Sequence, residues 1–146
     1  MMTRIERKDP SDAEALALGQ RIMATQALCQ LIGAQMDSWT TAMVEISVPL
    51  RDDLLQQHGY AHGGLLMFLA DTAVTFAAGR LLGGDVLTSE VKINFIRPGK
   101  GDHLIAQGYP IGGGTRHATG RCEIFARRGD RETLVAAAMG SAVLVI

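Results

Sequence analysis

The run Gly63-Gly64-Leu65-Leu66-Met67-Phe68-Leu69-Ala70-Asp71-Thr72-Ala73-Val74-Thr75-Phe76-Ala77-Ala78 is apolar at nearly every position, and Gly83-Gly84 follows a few residues later. It contains no Pro, so it reads as one helix over residues 63–82. A helix lying half in water keeps a polar face. This one has none, so other structure must wrap it. Asp71 and Arg80 within it argue against a membrane span, and the C-terminal apolar run 133–146 is shorter than the roughly 20 residues a span requires. No membrane partner is expected.

Downstream of that helix the pattern is strand-like: residues 86–97, 103–111, 117–127 and 132–146, punctuated by Pro98-Gly99, Gly112-Gly113-Gly114 and Gly129-Asp130. Four such runs joined by tight turns suggest an antiparallel meander. Upstream, Ala42, Val44, Ile46 and Val48 alternate with Thr41, Met43, Glu45 and Ser47 as in a half-buried strand, and Asp37-Ser38 is placed as the turn before it. Earlier still, Ser11-Asp12-Ala13-Glu14 has the form of a capping box. The spacing of Leu18, Ile22, Leu28, Leu31 and Ile32 predicts a helix over about 11–32, with Gly33 as its left-handed end. The expected organisation is a polar tail over residues 1–10 and a single α+β domain over 11–146. In it one curved antiparallel sheet wraps a long helix, and an open sheet edge invites a second subunit.

Composition narrows the function classes. The 146 residues include 14 Lys+Arg and 15 Asp+Glu, for a net charge of -1, with 47% hydrophobic and 20% charged residues. This balance suits one globular domain and offers no basic face for a nucleic acid. Cys29 and Cys122 stand far apart, and His58, His62, His103 and His117 have no metal-ligand spacing, so neither a disulfide framework nor a metal site is expected. The polar N-terminus lacks the apolar core of a secretory signal, which points to a cytoplasmic protein.

Within this frame Asp71 is the anomaly, the one acidic residue in an apolar helix. A carboxylate there is hydrogen-bonded, protonated or facing a cleft, because burying it alone is costly. An Asp on a single wet stripe shared with Thr75 is the plain structural explanation. His62-Gly63-Gly64 raises the chemical one, since it opens the helix with unpaired amides that can receive an oxyanion. Eight helical residues rise about 12 Å, so Gly63 N–H and Asp71 of one chain cannot serve the same carbonyl. A two-fold dimer that sets each Asp71 against the partner's helix start resolves the distance. Ser89 lies in phase with Leu87, Val91, Ile93 and Phe95, facing the helix, where it can orient a carboxylate or a water. Gln56 is a further candidate in a polar loop. His62 is expected to brace that loop, and Arg97 at a strand end to meet solvent or an anionic ligand.

Gln56, His62-Gly63-Gly64, Leu69-Ala70-Asp71 and Asn94-Phe95-Ile96-Arg97-Pro98-Gly99 together resemble the PaaI-like branch of hotdog-fold acyl-CoA thioesterases, from about Leu31 to the C-terminus. The resemblance implies a hotdog fold, a homodimer or dimer of dimers with sites between subunits, and hydrolysis of acyl-CoA with no cofactor besides the CoA of the substrate. It implies Asp71 as general base or nucleophile, Gly63 as the amide polarising the carbonyl, and Gln56 as the residue positioning water or the acid. Ser89 falls near a Ser/Thr position of the family, or Thr88 if the strand register slips. His62, Gly64, Met67, Phe68 and Arg97 are placed as substrate contacts, with Phe76 as further pocket lining. The N-terminal helix has no role in this expectation. Rival readings are a non-catalytic acyl-thioester binding module and, ranked lower, a hotdog hydratase or dehydratase.

Overall fold

A computed structural model describes residues 9–145; most of the expected polar tail lies outside them. The capping box is present: Ser11 Oγ accepts from Glu14 N–H while the Glu14 carboxylate accepts from Ser11 N–H at 2.8 Å. It opens α1 (Asp12–Thr25), which stops at Gln26 before α2 (Ala27–Ile32). The single helix expected over 11–32 is therefore two. Thr25 Oγ1 donates to the Ile22 carbonyl at 2.7 Å, a local bond that competes with helix propagation, and Gln26 is extended. The buried face also differs from the expected one. Ala15, Gly19 and Met23 face the interior, whereas Leu18, Leu28 and Leu31 are exposed.

Next come β1 (Gln35–Trp39) and β2 (Val44–Pro49). The turn between them lies at 40–43, after Asp37-Ser38, because the Thr40 hydroxyl accepts from the N–H groups of Ala42 and Met43 and closes it there. Asp37 and Ser38 belong to β1 beside an irregularity in its register with β2. Val44, Ile46 and Val48 are fully buried, as their alternation predicts.

α3 (Gly63–Leu82) is the central helix, ended by Gly83 at φ 67° in the left-handed region that glycine adopts without a steric cost. After it run β3 (Val86–Phe95), β4 (His103–Gly113), β5 (His117–Arg128) and β6 (Arg131–Leu144). All pairings are antiparallel, in the order β1-β2-β4-β5-β6-β3. Only β4, β5 and β6 form the expected meander. β3 pairs with β6 and becomes an edge strand, and residues 96–102 carry the chain across to β4, which joins β2.

The sheet curls around α3, burying Leu69, Ala70, Ala73, Val74 and Ala77 almost completely. The approach is so close that a Cβ at Gly108 would lie 2.4 Å from the Ala73 carbonyl oxygen. The two cysteines are free and buried, and burial pushes the Cys122 thiol up to about 12.

Candidate active site

Asp71 lies on the ninth residue of α3, half-buried, facing the start of β3. Thr88 Oγ1 donates to its Oδ1 at 2.6 Å, and Thr75 Oγ1, one helical turn along, lies 3.5 Å from the same oxygen. The two threonine hydroxyls are 2.7 Å apart. A hydroxyl carries one proton. With the Thr88 proton given to Asp71, Thr75 is the donor in the pair, so the hydroxyls form a short relay ending on Oδ1. Asp71 Oδ2 has no partner among the described residues. It is the free oxygen of a carboxylate fixed from its other side.

The partner on β3 differs from the expectation that Ser89 faces the helix. The β3–β6 register slips between Thr88 and Glu90, so Ser89 occupies a bulge and its hydroxyl donates to the Ser141 carbonyl at 3.1 Å. Val86 packs inward before the bulge, while Val91 and Ile93 do so after it. One extra residue flips the phase. Thr88, the alternative position, therefore receives the place beside Asp71.

His62 caps α3: its Nδ1 accepts from Gly64 N–H at 2.9 Å. That bond leaves Gly63 N–H, the first of the helix, without an acceptor among the described residues. Glycine at 63 is not required by this chain's own packing, since an added Cβ would meet only the Phe95 ring, at an ordinary 3.7 Å. A Cβ at Gly64, by contrast, would press on the capping imidazole at 3.0 Å.

Gln56 stands in the preceding loop, closed by an isolated bridge between Leu55 and Ala61. Its Oε1 accepts from His58 N–H, and its backbone bonds Tyr60 and Gly59. In this protomer its side chain is occupied by the loop. Arg97 Nη1 donates to the Leu134 carbonyl at 3.1 Å and ties the end of β3 to β6. No group of three metal-ligating side chains occurs among the described residues.

Two hollows meet at Asp71 and Thr88. The smaller, about 320 Å³, is shallow and lined by Met67, Phe68 and the residues of β3 from Thr88 to Val91. The larger, about 740 Å³, extends the other way between α3, α1 and the start of β3; Trp39 and Phe76, packed edge to face at 5.1 Å, are part of its wall. Met67 and Phe68 thus border the smaller hollow and Phe76 the larger. The larger also includes Leu18 and Ile22 of α1, two of the residues whose spacing predicts that helix.

Comparison with known proteins gives this arrangement a family. Residues 58–133, the segment holding His62, Gly63, Asp71 and Thr88, match the thioesterase superfamily. A Deinococcus radiodurans protein provisionally named an esterase is 32% identical over 100 residues; the match spans 68% of this chain and 66% of that relative, just under two thirds of its length. Among solved structures, a thioesterase family protein from Silicibacter pomeroyi superposes with a TM-score of 0.83 at 27% identity, covering 90% of this chain and 99% of that one. The E. coli PaaI protein of the phenylacetic acid degradation operon superposes with a TM-score of 0.82 at 24% identity, covering 94% and 97%. The chain belongs to the thioesterase superfamily, and its single curved sheet around α3 is the PaaI-like hotdog fold.

Proposed function

We infer that this thioesterase hydrolyses acyl-CoA to the free acid and CoA, in a site assembled from two copies of the chain. The observation that carries the reading is Asp71, held through Oδ1 by Thr88 with Oδ2 free, where two hollows meet on an otherwise apolar helix. The partner's Gly63 N–H polarises the thioester carbonyl. As general base, Asp71 Oδ2 takes a proton from water while the water oxygen bonds to the carbonyl carbon; the C–S bond then breaks and sulfur leaves with the electron pair. As nucleophile, Oδ2 bonds to the same carbon and expels the thiolate; water then adds to the Asp71 carbonyl carbon of the resulting anhydride, and the acyl carboxylate leaves with the electron pair of the broken C–O bond. Heavy-oxygen water in a single turnover separates the routes, because only the second labels Asp71.

A thiol of pKa about 8.5 leaves as the anion near neutral pH, so no general acid is demanded. One carboxylate and one amide donor suffice. Gln56 and Ser89 remain in the proposal as neighbours that position water, from the partner's loop and from the bulge. The free edge of β3 supports dimerisation, since unpaired edges are normally covered.

The test is release of CoA from a panel of acyl-CoAs. Asp71→Asn is expected to lower kcat by about a hundredfold or more with KM little changed. Unchanged turnover would remove Asp71 from the mechanism.

A further inference from the structure

α1 sits on β1 by its smallest side chains. A Cβ at Gly19 would lie 2.3 Å from Met36 Sδ and 2.9 Å from Trp39 Cε3, so only glycine allows this approach. Leu18, 41% exposed, and Ile22 are left off that seat and stand on the wall of the larger hollow. Where α1 begins, Arg80 Nη2 of α3 donates to the Pro10 carbonyl at 2.7 Å and lies 3.7 Å from Asp12 Oδ1, with its side chain only 6% exposed. α1 therefore starts beside the last turn of α3. It contributes Ala15, Leu18 and Ile22 to the hollow, which Gln26 beyond its end also lines, and so runs back alongside α3 toward Asp71. The space between the two helices is the cavity.

That cavity is long, and its middle is apolar. Its α3 wall extends from Asp71 to Gly83, a rise of about 18 Å. Between the carboxylate with Thr72, Thr75 and Thr88 at one end and Arg80 with Asp85 at the other, the wall is mostly apolar: Leu18, Ile22, Trp39, Phe76, Val86 and Leu87. Arg80 Nη2 is turned to Pro10 and Asp12, away from the middle of the slot, while its buried Nε has no partner among the described residues. At about 740 Å³ the hollow is of the size of small-molecule sites. A short acyl group would leave most of this apolar wall unused, whereas an extended hydrocarbon chain covers it.

We propose that the slot between α1 and α3 holds the acyl group of the substrate as an unbranched, uncharged aliphatic chain running from Asp71 toward Gly83. α1 is its outer wall, and Ile22 followed by Leu18 sets the chain length. The inference rests on the thioesterase reading and adds the acyl class to it. A chain with its carbonyl at Asp71 passes Ile22 first, because Ile22 lies about 15 Å along α1 from Asp12 and Leu18 about 9 Å.

The experiment measures kcat/KM for straight-chain acyl-CoAs from acetyl to hexadecanoyl with the full chain. The wild type is expected to favour dodecanoyl-CoA over butanoyl-CoA. Leu18→Trp, which blocks the slot midway, lowers the dodecanoyl-to-butanoyl ratio by about tenfold or more. Leu18→Ala, which only removes volume from an exposed position, raises KM for dodecanoyl-CoA severalfold with kcat held, and decides the matter if the Trp variant fails to fold. Leu31→Trp, on α2 and away from the slot, leaves the ratio where it was. A wild-type preference for butanoyl-CoA, or a ratio unmoved by both Leu18 variants, overturns the pocket assignment while the thioesterase reading stands. No CoA release from any thioester overturns both.

Discussion

At the residue scale the site depends on which β3 hydroxyl faces α3, and one inserted residue decides it. Strict alternation puts Ser89 inward; the bulge at Ser89 hands that place to Thr88. Residue types and spacing single out Asp71 and Gly63 as candidates, but bulges leave little mark in a single sequence, so Thr88 was reached only as the alternative to Ser89 should the register slip. Thr88 touches the proposed site only through its bond to Asp71, so on that proposal its removal should appear in kcat. Thr88→Val is expected to lower kcat about tenfold with little change in KM, Thr88→Ser to restore most of it, and Ser89→Ala to cost much less. A loss at 89 as large as the loss at 88 would overturn the assignment of Thr88 as the hydroxyl that orients the carboxylate. Gly63 admits a cleaner test. Proline is favoured at the first helical position, and His62 at φ -61°, ψ 136° has the extended backbone that a following proline requires. Gly63→Pro should therefore keep the helix while replacing the N–H by a ring carbon, with kcat falling about a hundredfold or more. A near-native melting temperature with near-native turnover would rule out that amide as the oxyanion donor.

At the element scale, packing density rewrote what periodicity suggested. The α3 span and the strand segments follow from composition and turn residues, and the structure reproduces them closely. Which strands pair did not follow, because β2–β4 and β3–β6 contacts are long-range and their partners cannot be read from local pattern. α1 misled for a different reason. Its leucines were the periodic residues, but Ala15, Gly19 and Met23 take the interior, and Gly19 leaves room for the Met36 and Trp39 side chains. Gly19→Ala should destabilise the fold by about 1–2 kcal/mol despite the better helix propensity of alanine, since Met36 and Trp39 must move. Gly108→Ala should cost more, about 3 kcal/mol, because the obstacle is the Ala73 carbonyl of α3 and not a flexible side chain. In thermal melts that difference is a further drop of several degrees for the second variant, at about 2–4 °C per kcal/mol for a chain of this size. The reverse order would mean that α1, not the sheet, makes the tighter contact.

At the scale of the whole molecule, the question is how a carboxylate and an amide eight residues apart on one rigid helix can address one carbonyl. They are separated by about 12 Å along the axis, well beyond the reach of a single carbonyl group. A two-fold pair resolves this by joining Asp71 of one copy to Gly63 of the other, and the unpaired edge of β3 offers the surface for it. The arrangement predicts complementation. Asp71→Asn and Gly63→Pro are each expected to be nearly inactive alone. In a mixed dimer, one site carries both defects and the other carries none. Unfolding and refolding the two variants together at equal concentration assorts them at random, so half of the dimers are mixed and each has one intact site of two. CoA release should recover to about a quarter of the wild-type value. Were both groups to serve the site of their own subunit, every site in every dimer would keep one defect, and mixing would restore nothing. Size-exclusion chromatography on the refolded mixture ensures that dimers are present when the rate is read, so a flat result would dismiss the shared site.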